Sequence, residues 1–323
     1  MSLLRINSLR TYFKTRSGIA RAVDGISLEI EKGEVLGIVG ESGCGKSVAA
    51  LSILRLLAMP PAYFAGGEIL FKGKDLMQLT DNEIRAIRGD RISMIFQEPM
   101  SALNPVYTIG NQLSEVFQVH HKATRKQAME KSLEMLTKVG IPDPLARLKA
   151  YPHQLSGGLR QRVMIAMALG CSPELLIADE PTTALDVTIQ AQILELITKL
   201  QEDFNTAVII ITHDLGVIAE TTDRVLVMYT GNVMETATTV DLFENPKHPY
   251  TKGLIKAIPS VNSDESADLY EITGTVPSLF DLPQGCKFNT RCPEAMDICR
   301  QKQPKLMQIG EGHKVACWGV NHE

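Results

Sequence analysis

Apolar and polar positions along this chain predict a sheet interrupted by a block of helices. From Leu3 to about Ile30, short β-like runs (Leu4-Arg5-Ile6, Thr11-Tyr12-Phe13, Ala22-Val23 and Ile26-Ser27-Leu28-Glu29-Ile30) are parted by turn residues at Ser17-Gly18 and Asp24-Gly25. That pattern predicts an antiparallel β layer. Val35-Leu36-Gly37-Ile38-Val39 is a short unbroken apolar run of the kind a parallel strand buried on both faces shows. Residues 68–71, 91–96, 175–178, 207–211 and 224–228 predict further strands, the last of them closing the sheet. Between Glu98 and about Gly170 the period changes to that of a helix, over 111–118 and over 126–139, where Met129, Leu133, Leu136 and Val139 share one face. Turns at Asn104-Pro105 and Pro142-Asp143-Pro144 separate these helices. After Gly231 the periodicity fades, and Pro246, Pro249, Pro259, Pro277 and Pro283 punctuate a loop-rich segment.

The junctions between these elements carry the chemistry. Gly40-Glu41-Ser42-Gly43-Cys44-Gly45-Lys46-Ser47 fits the phosphate-loop pattern G-x-x-x-x-G-K-[ST], and it stands where that pattern requires, after a buried strand and before helically spaced Val48, Leu51 and Leu54. Glycines let successive backbone N–H groups turn onto phosphate oxygens, and the helix start adds partial positive charge. Lys46 then neutralises the β- and γ-phosphates, and the Ser47 hydroxyl points where a phosphate-bound Mg²⁺ sits. Strand 91–96 ends at Gln97, a polar residue at the carboxyl edge where open α/β sheets bind ligands. Strand 175–178 ends in Asp179-Glu180, a pair able to hold a Mg²⁺ shell and to orient or deprotonate water. His213 follows strand 207–211, and a neutral imidazole there can reach a γ-phosphate or an attacking water. Leu155-Ser156-Gly157-Gly158 opens another helix, whose free N–H groups can hold an anion. Alone, Ser-Gly-Gly is a turn and cap and a lone histidine is structural; the phosphate loop on the same sheet gives both a nucleotide role. Tyr12 or Phe13 can offer a flat apolar face to an adenine ring, or can be strand aromatics of the core.

Composition narrows the classes. With 323 residues, 44% apolar and 22% charged, the chain can bury a full α/β core and a second, smaller domain. A net charge of −4 advertises neither a nucleic-acid surface nor a polybasic membrane patch. Its uncharged stretches, such as Val163 to Pro173, fall far short of the ~18 apolar residues of a membrane span. The start, Met1 to Asn7, has no apolar h-region, so no secretory signal is expected, and ATP use points to the cytosol. In a reducing compartment the six cysteines are expected free, catalytic or metal-bound. Four of them, Cys286, Cys292, Cys299 and Cys317, crowd the last 38 residues with spacings x₅, x₆ and x₁₇. That segment has few large apolar residues beyond Phe288, Ile298, Leu306, Val315 and Trp318, so a ligated metal is expected to supply folding energy. Zinc favours tight C-x₂₋₄-C knuckles, which are missing; wide spacings suit a cubane's larger perimeter. Nothing in the sequence connects these cysteines to the nucleotide residues, and Cys44 and Cys171 stand outside the set.

The order and spacing of the phosphate loop at 40–47, Gln97, Leu155-Ser156-Gly157-Gly158, Asp179-Glu180, Ala184-Leu185-Asp186 and His213 resemble those of ATP-binding cassette (ABC) ATPases over about residues 3–235. Gln97-Glu98-Pro99-Met100-Ser101-Ala102-Leu103-Asn104-Pro105, Tyr151-Pro152-His153-Gln154 and His248-Pro249-Tyr250-Thr251 are similar to the bacterial dipeptide/oligopeptide import ATPases over nearly the whole chain. The resemblance implies an α/β fold: a P-loop NTPase (RecA-like) core with an antiparallel β subdomain over 1–97 and 171–235, a helical signature subdomain over 98–170, and a small loop-rich C-terminal metal-binding domain over 236–323. It implies an ATPase that powers peptide import from the cytoplasmic face of the membrane. Its partners are then a second cassette (copy or paralogue), two integral membrane permease subunits and, indirectly, an extracellular solute-binding protein, with no nucleic acid.

By the same resemblance Gly40, Ser42, Gly43, Cys44, Gly45, Lys46, Ser47 and Val48 of one subunit and Ser156, Gly157 and Gly158 of the other close over one ATP. Ser47, Gln97 and Asp179 serve Mg²⁺, Glu180 is the catalytic base, Asp186 links the two sites, His213 contacts the γ-phosphate, and Tyr12 or Phe13 stacks on adenine. Leu159 departs from the commonest signature, which has Gln; the phosphate contacts come from the residues before it. The family's extension looks like a four-iron four-sulfur (4Fe-4S) site, with Zn²⁺ as the alternative. Readings from other classes are a soluble cassette acting on ribosomes or DNA, a redox-sensing regulator built on the cysteines, and an importer ATPase for nickel or another small solute. Ribosomal cassettes carry two Walker sets and DNA-repair relatives carry long coiled coils; this chain has one set and no sustained heptads.

Overall fold

The computed structural model describes residues 2–98, 102–183, 186–258 and 270–320. In chain order its strands are β1 (Leu4–Thr15), β2 (Gly18–Ile30), β3 (Val35–Val39), β4 (Ala62–Phe71), β5 (Lys74–Asp75), β6 (Ile92–Ile95), β7 (Leu175–Asp179), β8 (Ala207–Ile211), β9 (Arg224–Tyr229), β10 (Asn232–Thr238), β11 (Met307–Gly310) and β12 (His313–Val315). The chain divides into two compact units, one of Met1–Ile30, Val35–Met77 and Thr212–Glu323, the other of Glu31–Glu34 and Gln78–Ile211.

The first unit begins with the expected antiparallel layer, ordered β2-β1-β4-β5. Its four short apolar runs merge into two long strands joined across Arg16-Ser17. The turn expected at Asp24-Gly25 lies inside β2 as a register shift, opposite Leu9 and Arg10 of β1; β1 also slips against β4 between Asn7 and Arg10, where Ser8 has φ 47° and faces Gly66-Gly67. A Cβ on Gly67, itself at φ 91°, would run into the backbone of Ser8 and Leu9, so the bulge needs that glycine. The unit's second run of strands is β11-β12-β10-β9-β3. β3 is parallel to β9, as an apolar run without alternation predicts. The expectation that 224–228 closes the sheet is corrected, because β10 pairs antiparallel with β9, and β12 and β11 follow antiparallel in turn. β10 is missed by pattern because it is buried on both faces and keeps polar Asn232, Glu235 and Thr236 inside. Glu235 is fully buried and is satisfied by the N–H groups of Lys247 and His248 and by the His313 imidazole at 2.7 Å. One core cluster joins Val39 of β3, Val225, Val227 and Tyr229 of β9, Tyr250, and the C-terminal Cys286, Phe288 and Cys299.

In the second unit β8, β7 and β6 lie side by side, all parallel. Helices Ile109–His121, Arg125–Lys138, Gly157–Leu169 and Val187–Phe204 each start at a side-chain cap, Thr108, Thr124, Ser156 and Asp186, that accepts an otherwise orphaned N–H. Among the described residues no helix is long and apolar enough to cross a membrane.

Candidate nucleotide site and cysteine cluster

The phosphate loop is shaped by contacts that exclude side chains. Gly40, Gly43 and Gly45 have φ of 153°, 76° and 101°. A Cβ on Gly45 would strike the Ala22 carbonyl and one on Gly40 the Met228 carbonyl, so both positions admit only glycine. Gly231 donates its N–H to the Cys44 carbonyl at 2.8 Å and accepts from Asp24 N–H at 2.8 Å, tying the loop through Gly231 to β2. The helix Lys46–Ile53 starts directly after Gly45. Lys46 is 5% exposed, and its ammonium donates to the carbonyls of Gly40 (2.7 Å) and Glu41 (3.2 Å). Ser42 and Gly43 are exposed, Ser47 and Val48 half-buried, and Cys44 is buried, which pushes its thiol up. Cys44 contributes backbone, not chemistry.

His213 is exposed just past β8, between two fixed neighbours. Thr212 donates its N–H to Ile38 carbonyl at 3.2 Å, and the Asp214 carboxylate caps the helix Leu215–Thr221 by accepting from Gly216 and Val217. Tyr12 and Phe13 are both half-buried on β1. The Tyr12 hydroxyl donates to Asp24, its ring meets Tyr63 edge-on at 5.9 Å, and the Arg21 guanidinium lies 5.8 Å above it. Burial and the Asp24 contact push its phenol up to about 12. Phe13 has alanines as both register partners, Ala20 on β2 and Ala62 on β4, which leaves its ring less hemmed in.

In the second unit Gln97 and Glu180 meet, the amide donating to the carboxylate at 2.8 Å, and the Thr183 hydroxyl donates to the same carboxylate at 2.9 Å. Glu180 sits at φ 46°, a left-handed conformation unusual for a glutamate, with its N–H bonded to Ile211 carbonyl. Asp179, at the end of β7, is 4% exposed. Ser156, Gly157 and Gly158 form the start of a 13-residue helix, with the Ser156 hydroxyl accepting from Leu159 N–H. A Cβ on Gly158 would collide with Ile189, so this glycine is also required for helix packing. Asp186 is exposed and accepts from Ile189 N–H at 2.9 Å. Ala184 and Leu185, like Pro99, Met100 and Ser101, lie outside the described residues. Thr183, which no motif pointed to, is the side chain that sequence reasoning missed here.

The four C-terminal cysteines converge. Cys286, Cys292, Cys299 and Cys317 line one small cavity together with His248, Phe288, Glu294 and Trp318. None is in a disulfide. Burial pushes the thiols of Cys286 and Cys292 up to about 11, and that of Cys317 also upward. Among the described residues, Asp90, His121 and Cys171 bring ligand-type donor atoms within 4.8 Å of one another elsewhere in the chain.

The sequence shows no link between this cluster and the phosphate loop, but the structure has one. Arg291, between Phe288 and Cys292, forms a bidentate pair with Glu41, the second residue of the loop, at 2.7 and 3.0 Å. Tyr250 accepts the Glu41 N–H at 2.9 Å. No local signal marks either contact, since the partners of Glu41 are 209 and 250 residues away.

Residues 23–183 match the family described as ABC transporter, and residues 234–299 match the one described as oligopeptide/dipeptide transporter, C-terminal region. Among curated relatives, a probable peptide ABC transporter ATP-binding protein of Sinorhizobium fredii is 54% identical over 99% of this chain and 95% of its own length. The dipeptide transport ATP-binding protein DppD of Bacillus subtilis is 53% identical over 98% of this chain and 94% of its own. Among solved structures, the dimeric post-hydrolysis state of the ATP-binding cassette MJ0796 bound to ADP and Pi superposes with a TM-score of 0.66 and 28% identity. It covers 73% of this chain and 98% of that one.

Proposed function

Because the chain belongs to the ATP-binding subunits of peptide ABC transporters, we propose that it hydrolyses ATP to drive import of dipeptides or oligopeptides. The observation that carries this is the glycine loop Gly40–Ser47, in which side chains are excluded and Lys46 is held among the carbonyls it must leave to meet a phosphate. The residues present suit ATP and Mg²⁺: Lys46 and the loop N–H groups for phosphate oxygens, Ser47, Gln97 and Asp179 for the Mg²⁺ shell. Glu180, oriented by Gln97 and Thr183, takes the proton of the attacking water. His213 contacts the γ-phosphate and Asp186 links the two ATP sites of a dimer. Phe13 is the better candidate for adenine stacking, since the Tyr12 ring is already engaged by Asp24, Tyr63 and Arg21.

A second cassette, copy or paralogue, supplies the Ser156-Gly157-Gly158 helix start over each ATP. Two membrane permeases complete the transporter on the cytoplasmic face, fed by an extracellular solute-binding protein. The segment 98–170 is the docking surface for a permease; Val106 and Tyr107, 71% and 53% exposed, are large apolar side chains with solvent as their present neighbour. In the C-terminal segment the four cysteines, which line one cavity, hold a 4Fe-4S cluster, the reading that their wide spacing along the sequence favours over Zn²⁺. Such a cluster contributes folding free energy or a redox signal. The test is reconstitution with the permeases and second cassette in proteoliposomes: ATP hydrolysis should rise when dipeptide-loaded binding protein is added, and transport without any dependence on this subunit's Lys46 refutes the reading.

A further inference from the structure

Arg291 has five N–H donors, and all five are used. Nε donates to Thr273 carbonyl (3.1 Å), one terminal nitrogen to Glu41 (2.7 Å) and Tyr229 hydroxyl (3.4 Å), the other to Glu41 (3.0 Å) and Ile272 carbonyl (3.1 Å). Its side chain is 4% exposed, and its guanidinium lies 5.8 Å from the Tyr229 ring and 6.0 Å from Phe288. A side chain so enclosed has one place to be. It holds Glu41 in one place too, and Tyr250, whose hydroxyl takes the Glu41 N–H, is fully buried against Tyr229 and Phe288. Glu41 is where the loop leaves Gly40, and its carbonyl is one of the two that hold Lys46.

We propose that Arg291 and Tyr250, from the C-terminal segment, are positioning residues of the phosphate loop: by fixing Glu41 they set the path of the loop N–H groups and the reach of Lys46 before ATP arrives. Neither touches the nucleotide; both act through Glu41. The C-terminal segment is thereby a working part of the ATP site, whatever else it binds. A bidentate pair is geometry as well as charge, and lysine in place of Arg291 keeps the charge but loses the fork. The inference rests on the reading of residues 40–47 as the ATP phosphate loop.

The test is steady-state ATPase kinetics of the assembled full-length complex, with nucleotide affinity and Tm measured on the same preparations, for Arg291→Lys, Glu41→Gln, the double variant, Tyr250→Phe and Lys46→Ala. Arg291→Lys and Glu41→Gln should each raise the ATP KM about 10-fold with kcat changed less than about 2-fold, the mark of lost uniform binding. The double variant should be no worse than either single, because both break one contact. Tyr250→Phe, which removes the hydroxyl that accepts the Glu41 N–H, should raise KM about 3-fold. If Lys46→Ala abolishes nucleotide binding while Arg291→Lys and Glu41→Gln lower Tm but leave KM unchanged, the contact is structural only and the proposal falls. If Lys46→Ala binds ATP normally, the phosphate-loop reading fails first. Additive KM effects in the double variant also overturn it.

Discussion

The amide of Gln97 donates to the carboxylate of Glu180 at 2.8 Å, so a residue two positions past β6 and the residue that follows β7 hold each other. Thr183 donates to the same carboxylate at 2.9 Å. In the role proposed for Glu180 a base must be aimed as well as charged, and these donors aim it. Glu180→Gln is expected to leave ATP affinity within about 2-fold, because Lys46 and the loop amides are untouched, while kcat falls by about 10²–10⁴ through loss of a positioned base. Single-turnover hydrolysis and nucleotide binding measured side by side check this; hydrolysis at the wild-type rate removes Glu180 from the mechanism.

Thr183→Val removes one donor and keeps the shape. Its kcat should drop by about 3–10-fold with KM unchanged, since one hydrogen bond to a charged group contributes about 1.5–3 kcal/mol at most and Gln97 remains. A shifted pH profile of kcat, which general destabilisation would not produce, distinguishes aiming from packing.

The strand before the phosphate loop, the loop's glycines and the place of Asp179-Glu180 at the end of β7 were legible because each rests on a local rule: a buried parallel strand is continuously apolar, and a phosphate loop needs glycines at fixed offsets. What was not legible is non-local. Ser8 and Gly66-Gly67 make a bulge that neither stretch announces alone. β10 carries Glu235 into the core because Lys247, His248 and His313 satisfy it from other parts of the chain. The C-terminal segment reads as loops because Cys286, Phe288 and Cys299 are isolated apolar residues in sequence, and it is anchored because those residues join the core of β9.

That anchoring predicts a stability effect. Phe288 is 1% exposed and its ring lies 5.3, 5.2 and 5.8 Å from those of Tyr229, Tyr250 and His248. Phe288→Ala should cost about 3–5 kcal/mol, the range for a buried aromatic whose site cannot collapse. Urea unfolding followed at Trp318 and by far-ultraviolet circular dichroism should show one coincident, lowered midpoint. Loss of the Trp318 transition alone would mean that the segment unfolds by itself.

His248 gives the fold an acid limit. Its imidazole is fully buried, accepts the Tyr250 N–H at 3.0 Å to start the helix Pro249–Lys256, and burial lowers its pKa to about 3 from the 6.5 of a free histidine. Between these values the unfolded chain binds a proton that the folded chain does not, so stability falls as pH drops below 6.5 and this group contributes nothing above it. The slope approaches about 1.4 kcal/mol per pH unit. His248→Asn keeps an acceptor for Tyr250 and has no proton to gain; its denaturation midpoint should fall less between pH 7 and pH 5 than that of the wild type. Equal slopes would assign the acid limit elsewhere.

The cysteine cavity makes the last prediction, and the Arg291 contact changes its form. Protein purified without oxygen should be brown, with about four irons and four sulfides per chain, and Cys292→Ser should bleach it. Read from sequence alone, that variant leaves the ATP site untouched. With Cys292 adjoining Arg291, and Arg291 held to Glu41 by two bonds, losing the cluster should loosen the loop: KM for ATP rises while kcat is kept, as for Arg291→Lys. Metal analysis and the visible spectrum report on the cluster independently of activity. Colourless anaerobic protein with one zinc per chain would give the site to zinc. A bleached variant with an unchanged KM would show that the pair survives without the cluster, because the other contacts of Arg291, to Thr273, Ile272 and Tyr229, are enough to hold it.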